Sequence, residues 1–343
     1  MELSRAKVKR GILLSVSVSI IAIIIVLIFT QDEFSFKAFT HIDIKYLFLA
    51  IYITLMFWFL KSLKLRLLVI SMGGNISLLK MFNIYLASAF VAHITPSSSG
   101  GLPFVIYFIH REGLPLGKSI ALTVLDNIFS LIFYLIAAPI LLLAWGEYLN
   151  LGPVIGDLFH IALILVIGFI LAVIVLIFNT QLALTFINWL TSFSFIKNLF
   201  PEKKLAGFRE YIKKEVDFFN EGLEILSKNK KDLFLIIIYT ILYWLFYLTL
   251  PLVLLRGLGV NVGFPPVILA QLVFNFIQPI IPTPGGSGGA ELSIAYLFKF
   301  MVPSYLLGIF VALWRFFVFY ISLIVGGILF VKVVQGTEFL ENK

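Results

Sequence analysis

Apolar blocks of about 20 residues or more recur along this chain, at 11–30, 46–60, 119–144, 159–178, 233–255 and 305–331, and they dictate its solvent. A helix rises 1.5 Å per residue, so such a block crosses ~30 Å of hydrocarbon. Hydrophobic residues make up 61% of the 343 and charged residues 13%, an excess too large for one soluble core. The six blocks are read as full spans of an all-α polytopic membrane protein. The first follows Arg5, Lys7, Lys9 and Arg10 as a secretory signal would, but its apolar run is too long and no A-x-A site follows, so it reads as an uncleaved span.

The net charge of +8 records orientation rather than nucleic-acid binding, because the basic residues fall between the blocks. Lys and Arg favour the cytoplasmic side, which puts both termini inside. The stretch with Asp32, Glu33 and Asp43 then lies outside, and Lys61, Lys64, Arg66 and Lys80 form an inner loop. Arg111 and Lys118 return inside, and the turn 145–157 lies outside. Residues 179–232 carry nine lysines and arginines and form a cytoplasmic loop. Within it Leu205, Phe208, Tyr211, Ile212, Phe219 and Leu223 recur every three to four residues, predicting an amphipathic helix along the inner leaflet. It serves as an anchoring connector or as a surface for anionic lipid.

Two further apolar segments are broken. Residues 81–109 are interrupted at 95–103, and residues 267–300 at 279–289. The breaks match: Thr95-Pro96-Ser97-Ser98-Ser99-Gly100-Gly101 aligns without gaps with Thr283-Pro284-Gly285-Gly286-Ser287-Gly288-Gly289, and Pro115 meets Pro303 in the same register. The charge pattern makes the first segment dip in from the cytoplasm and the second from outside. They are read as two re-entrant hairpins forming an inverted repeat, residues 80–144 and 266–331, within one transmembrane domain. Inverted repeats with broken helices build the midplane sites of secondary transporters. Gly and Ser at a break leave backbone N–H groups free at a half-helix start, where the dipole favours anions. Non-helical backbone at membrane depth needs protein or a polar cavity beside it, so both loops are expected to line a common cavity. Kinked but otherwise ordinary spans are the alternative. Thr95, Pro96, Ser99, Pro284, Gly285, Gly286, Ser287 and Gly288 are candidate substrate contacts.

Ionisable groups within spans cost about 2.5–3.5 kcal/mol each and are functional candidates. Asp126, Glu291 and Arg315 stand out, with Asn127 in the register of Arg315. A carboxylate and the Arg315 guanidinium facing one cavity would neutralise each other at rest, and Arg315 would release to a phosphate it grips bidentately. A structural ion pair between helices fits the same residues. His93 and His110 read as hydrogen-bonded packing residues. The chain has no cysteine, no clustered histidines and no G-x-x-x-x-G-K-[ST], so no metal, nucleotide or other cofactor is expected. The serines of the breaks have no base nearby in sequence.

The run Ile281-Pro282-Thr283-Pro284-Gly285-Gly286-Ser287-Gly288-Gly289-Ala290-Glu291, with Arg315 in the next span, resembles the lysylphosphatidylglycerol synthase transmembrane family, which includes the flippase half of bacterial multiple-peptide-resistance factors. The likeness extends through Pro96 to Asp126 and the order of spans. It implies movement of an anionic phospholipid or lipid-linked intermediate between leaflets of the cell membrane, with Pro284, Gly285, Gly286, Gly288, Glu291, Arg315 and Asp126 at the site. Relatives commonly carry charged residues after the first Gly pair and an Arg after the Asp, where this chain has Leu102, Val105 and Asn127; its first hairpin is expected to bind differently or more weakly. Only twelve residues follow Val331, so an aminoacyl-transferase domain, and aminoacyl-lipid synthesis with it, is not expected.

Two other functions remain open at the level of sequence. Polyprenyl-diphosphate phosphatases also use inverted re-entrant hairpins, but here Glu291 alone supplies a hairpin carboxylate. An accessory role would have the basic loop recruit a separate synthase or glycosyltransferase.

Overall fold

The computed structural model describes residues 5–30, 42–145 and 202–341, with isolated positions 164, 168 and 185. The expected span 159–178, most of the outer turn before it and the loop up to residue 201 lie outside the described residues. Among the described residues the regular structure is helical, and five helices are long and apolar enough to cross a membrane. Helix α1 is Arg5–Thr30, α2 Ile44–Ser71, α3 Leu78–Ile94, α4 Gly101–Arg111 and α5 Leu116–Trp145. After α6, Glu202–Lys228, come α7 Lys230–Gly257, α8 Phe264–Ile277, α9 Gly289–Phe298, α10 Ser304–Arg315 and α11 Ile321–Glu341.

Their ends follow local chemistry. Asp43, Ser77 and Asn229 accept amide hydrogen bonds as N-caps of α2, α3 and α7. Prolines 265 and 266 sit in the first turn of α8, where their missing N–H costs nothing. The distribution of polarity is that of a chain in lipid. Leu13, Phe48, Phe234 and Ile324 face outward at 60–66% exposure, while Lys64, Asp126, Gln271, Glu291 and Arg315 are buried.

Thr283 stands 188 positions after Thr95, and this offset carries the first half of the fold onto the second. It takes α3 to α8, α4 to α9 and α5 to α10, and it also takes α2 to α7 within two residues. The repeat therefore begins one helix earlier than the sequence suggested. Helices α2 and α7 pack along each other in opposite directions. The Asp43 amide at the head of α2 donates to the Gly257 carbonyl at the tail of α7 (3.0 Å), and Ser71 at the tail of α2 donates to Asp232 near the head of α7 (2.6 Å). The other contacts obey the same exchange, α3 packing on α11 and α8 on α5. Helix α6 is fastened to the start of α5: Glu215 accepts from the Gly117 amide (2.6 Å), and Glu221 pairs with Lys118 (2.8 Å).

One boundary differs from expectation. The second block was read as ending at residue 60 with Lys61, Lys64 and Arg66 in a loop. The helix instead continues to Ser71 and buries Lys64 completely. A charge can extend a membrane helix when a partner neutralises it, and here Asp126 does so.

The two breaks meet. Pro96 and Pro284 form an antiparallel bridge, in which the Ser97 amide donates to the Thr283 carbonyl (3.3 Å) and the Gly285 amide to the Thr95 carbonyl (3.4 Å). The 188-residue offset interchanges these two bonds, so a local two-fold axis passes between the prolines. The loops differ in sequence at just two of seven positions, and at both the backbone is left-handed in each loop: Ser97 and Ser98 have φ of 50° and 55°, Gly285 and Gly286 of 58° and 68°. A side chain there is strained by roughly 1–2 kcal/mol. Ser98→Gly is therefore expected to raise stability by up to about 1 kcal/mol once the entropy of glycine is deducted. The opposite change at the neighbouring position of the other loop, Gly285→Ser, would place a Cβ 2.5 Å from the Phe319 ring and 2.8 Å from the His93 carbonyl, and should cost about 3 kcal/mol. Unfolding midpoints of the two variants in detergent should move in opposite directions.

Candidate functional site

The second break is built around Arg315, the last residue of α10. Its Nη2 donates to the Gly285 carbonyl (3.1 Å) and to Ser287 Oγ (3.0 Å), its Nε lies 2.8 Å from Glu291 Oε1, and its guanidinium stacks 3.9 Å over the Phe319 ring. Glu291 sits in the first turn of α9, where Oε2 accepts the Gly288 amide (2.8 Å), completing the helix cap from within. Arg315, Glu291 and Ser287 are all buried, at 0–1% exposure. Charge and hydrogen bonding are thus nearly closed inside the cluster.

Helix α1 supplies a member that sequence reasoning missed. Ser19 donates a short hydrogen bond to Glu291 Oε1 and accepts from Arg315 Nε (3.2 Å) and from the Tyr320 hydroxyl (2.8 Å). Phe319 and Tyr320 reach the site because a π-helical turn, Phe316–Tyr320, follows Arg315 at once. The wider turn brings the residues four and five places on round to the face of Arg315. The available signals were slight: serines in an apolar span, and a run of aromatics after a lone arginine.

The other candidates divide. Pro284, Gly285, Gly286, Gly288, Thr95 and Pro96 are brought together at the paired breaks. Thr95 Oγ1 accepts the Gly100 amide (2.9 Å) and donates to the Val91 carbonyl (2.8 Å), bracing its own loop. Ser99 is exposed and stands apart from the Arg315 cluster, whereas Ser287, its counterpart, is fully buried. Asn127 turns back on its own helix, donating to the Thr123 carbonyl (2.8 Å), and does not take the role its register with Arg315 suggests. Asp126 does not meet Arg315 either. It lies between Lys61 (2.5 Å) and Lys64 (2.8 Å) of α2. The loops bond directly to each other, and Arg315 is buried against the second of them.

Both hairpins end with a cation over an aromatic ring, Arg111 over Tyr107 (5.7 Å) in the first and Lys299 over Tyr296 (3.9 Å) in the second. Among the described residues, no group of three or more His, Asp or Glu side chains is placed to hold a metal ion.

Comparison with known proteins shows the family of this chain. Residues 12–326 match the family described as the lysylphosphatidylglycerol synthase TM region. A UPF0104 membrane protein of Archaeoglobus fulgidus is 29% identical over 334 residues, covering 97% of this chain and 99% of its own length. No solved structure matches.

The buried pair makes a stability prediction. Arg315→Ala strands the Glu291 carboxylate and should cost about 3–5 kcal/mol, whereas the double variant Glu291→Leu/Arg315→Met leaves no stranded charge and should cost less than Arg315→Ala alone. Comparing the three unfolding midpoints in detergent checks the ordering.

Proposed function

Because this chain belongs to the lysylphosphatidylglycerol synthase transmembrane-region family, and because it buries a guanidinium directly beneath two paired helix breaks, we propose that it is a flippase-like translocator of a phospholipid or lipid-linked head group. The observation that carries this reading is the set of partners Arg315 holds. A carboxylate, a backbone carbonyl and a hydroxyl occupy the donor fork that would otherwise grip a phosphate. An arriving phosphate takes over these donors and displaces Glu291, while the acyl or isoprenoid tails stay in the bilayer. The loops part to admit it, and the two bonds that close them are long, at 3.3 and 3.4 Å.

In this reading six spans and two re-entrant hairpins lie in the cell membrane with both termini in the cytoplasm. The first hairpin opens inward and the second outward, so Arg111 and Lys299 anchor opposite interfaces. Helix α6 lies along the inner leaflet.

An enzyme acting through a serine is less well supported. Ser19 has Glu291 beside it as a base would be, but Arg315 and Tyr320 both donate to its oxygen and occupy the two lone pairs needed for attack.

Proteoliposomes carrying fluorescent phosphatidylglycerol or a labelled polyprenyl phosphate provide the test. Wild type should move one of these lipids between leaflets, Glu291→Gln should slow it at least tenfold, and Arg315→Lys, which keeps the charge but loses the fork, should slow it comparably. A folded wild type that moves neither lipid would turn the assignment toward an enzyme or an accessory of lipid or glycan synthesis.

A further inference from the structure

The Lys61–Asp126–Lys64 cluster has no part in the Arg315 hub and does not balance. Two ammonium groups face one carboxylate, leaving one positive charge in excess. The side chains are 15% exposed for Lys61, 0% for Lys64 and 5% for Asp126. A single lysine would neutralise Asp126, and a second uncompensated cation in a low-dielectric interior is strongly disfavoured. Among the described residues no other carboxylate lies within 4.0 Å of either ammonium.

Hydrogen bonding shows the same deficit. Each ammonium has three N–H donors. Lys61 donates to Asp126 Oδ2 and Lys64, at 3.5 Å, to the Asp126 carbonyl, while Lys64 approaches Oδ1 to 2.8 Å as an ion pair in which Oδ1 accepts no hydrogen bond. Four of the six donors therefore have no acceptor among these contacts. The Lys61 ammonium also stands 5.5 Å from the centre of the Tyr243 ring, which attracts a cation without cancelling its charge.

The pseudo-symmetry sharpens the contrast. In the second half Arg315 and Glu291 pair one to one and the guanidinium is well supplied with acceptors. In the first half the register of Arg315 holds Asn127, and α2 delivers two cations in its place.

We propose that Lys61 and Lys64 form a second anion site, which takes a phosphate group, either free or in a lipid head group, with Asp126 holding the lysines apart and limiting their affinity. The partial exposure of Lys61 marks the side from which the anion approaches. This site stands independently of the translocation reading, since an anion binds there whether or not it is moved.

The test is equilibrium binding, followed through the unfolding midpoint of the purified chain in neutral maltoside detergent. The probes are inorganic phosphate, short-chain phosphatidylglycerol and, as a zwitterionic control, short-chain phosphatidylcholine. Wild type should be stabilised by phosphatidylglycerol and not by phosphatidylcholine; stabilisation by inorganic phosphate as well would mean that the phosphate group alone suffices. Lys61→Gln leaves a neutral Lys64–Asp126 pair and should weaken the response at least tenfold in half-saturating concentration. Asp126→Asn should strengthen it at least tenfold and regain stability as the anion is added. No response of wild type to either anion would overturn the proposal, because the excess charge would then be relieved by loss of a lysine proton. So would an Asp126→Asn variant that is destabilised and that neither anion restores, the behaviour of a purely structural ion pair.

Discussion

Two backbone hydrogen bonds, between Ser97 and Thr283 and between Gly285 and Thr95, hold the centre of this fold. A helix that breaks at membrane depth must find partners for the amides and carbonyls it releases, and lipid offers none. Each break here serves the other. That mutual service requires the breaks to meet antiparallel, which fixes the relative direction of the halves and accounts for the opposed packing of α2 and α7 along the same axis. Arg315 then completes what the bridge leaves undone by taking the Gly285 carbonyl.

Much of this was legible in the sequence because it is local. Apolar length marks spans, and Thr-Pro followed by Gly and Ser marks a break. The same motif occurring twice marks a repeat, and the antiparallel bridge between the two copies shows that they meet in opposite directions. The limits of the repeat were not legible: α2 and α7 share the register without sharing a motif, and only their antiparallel contact identifies them as counterparts.

What sequence concealed is tertiary. Lys61 and Lys64 ended a hydropathy block and so looked like a loop; the helix runs on because Asp126, more than sixty positions away, pairs with them. Ser19 is one of several serines in an apolar helix until folding lays it between Glu291 and Arg315. The π-helical turn has no pattern at all, yet it decides that Phe319 and Tyr320 share the face of Arg315. Asn127 shows the converse hazard, since sharing a register with a functional residue is no assurance of sharing its role.

Two identical halves related by a two-fold axis could exchange conformations at no net energy, so an arrangement and its two-fold-related counterpart would be equally populated. This chain is not so poised. Serine against glycine in the left-handed turns, and a two-to-one cluster against a one-to-one pair, mean that swapping the roles of the halves changes strain and moves net charge. Any difference in energy between the halves must therefore be written in the residues where they disagree: serine turns against glycine turns, and two lysines on one carboxylate against one arginine on one.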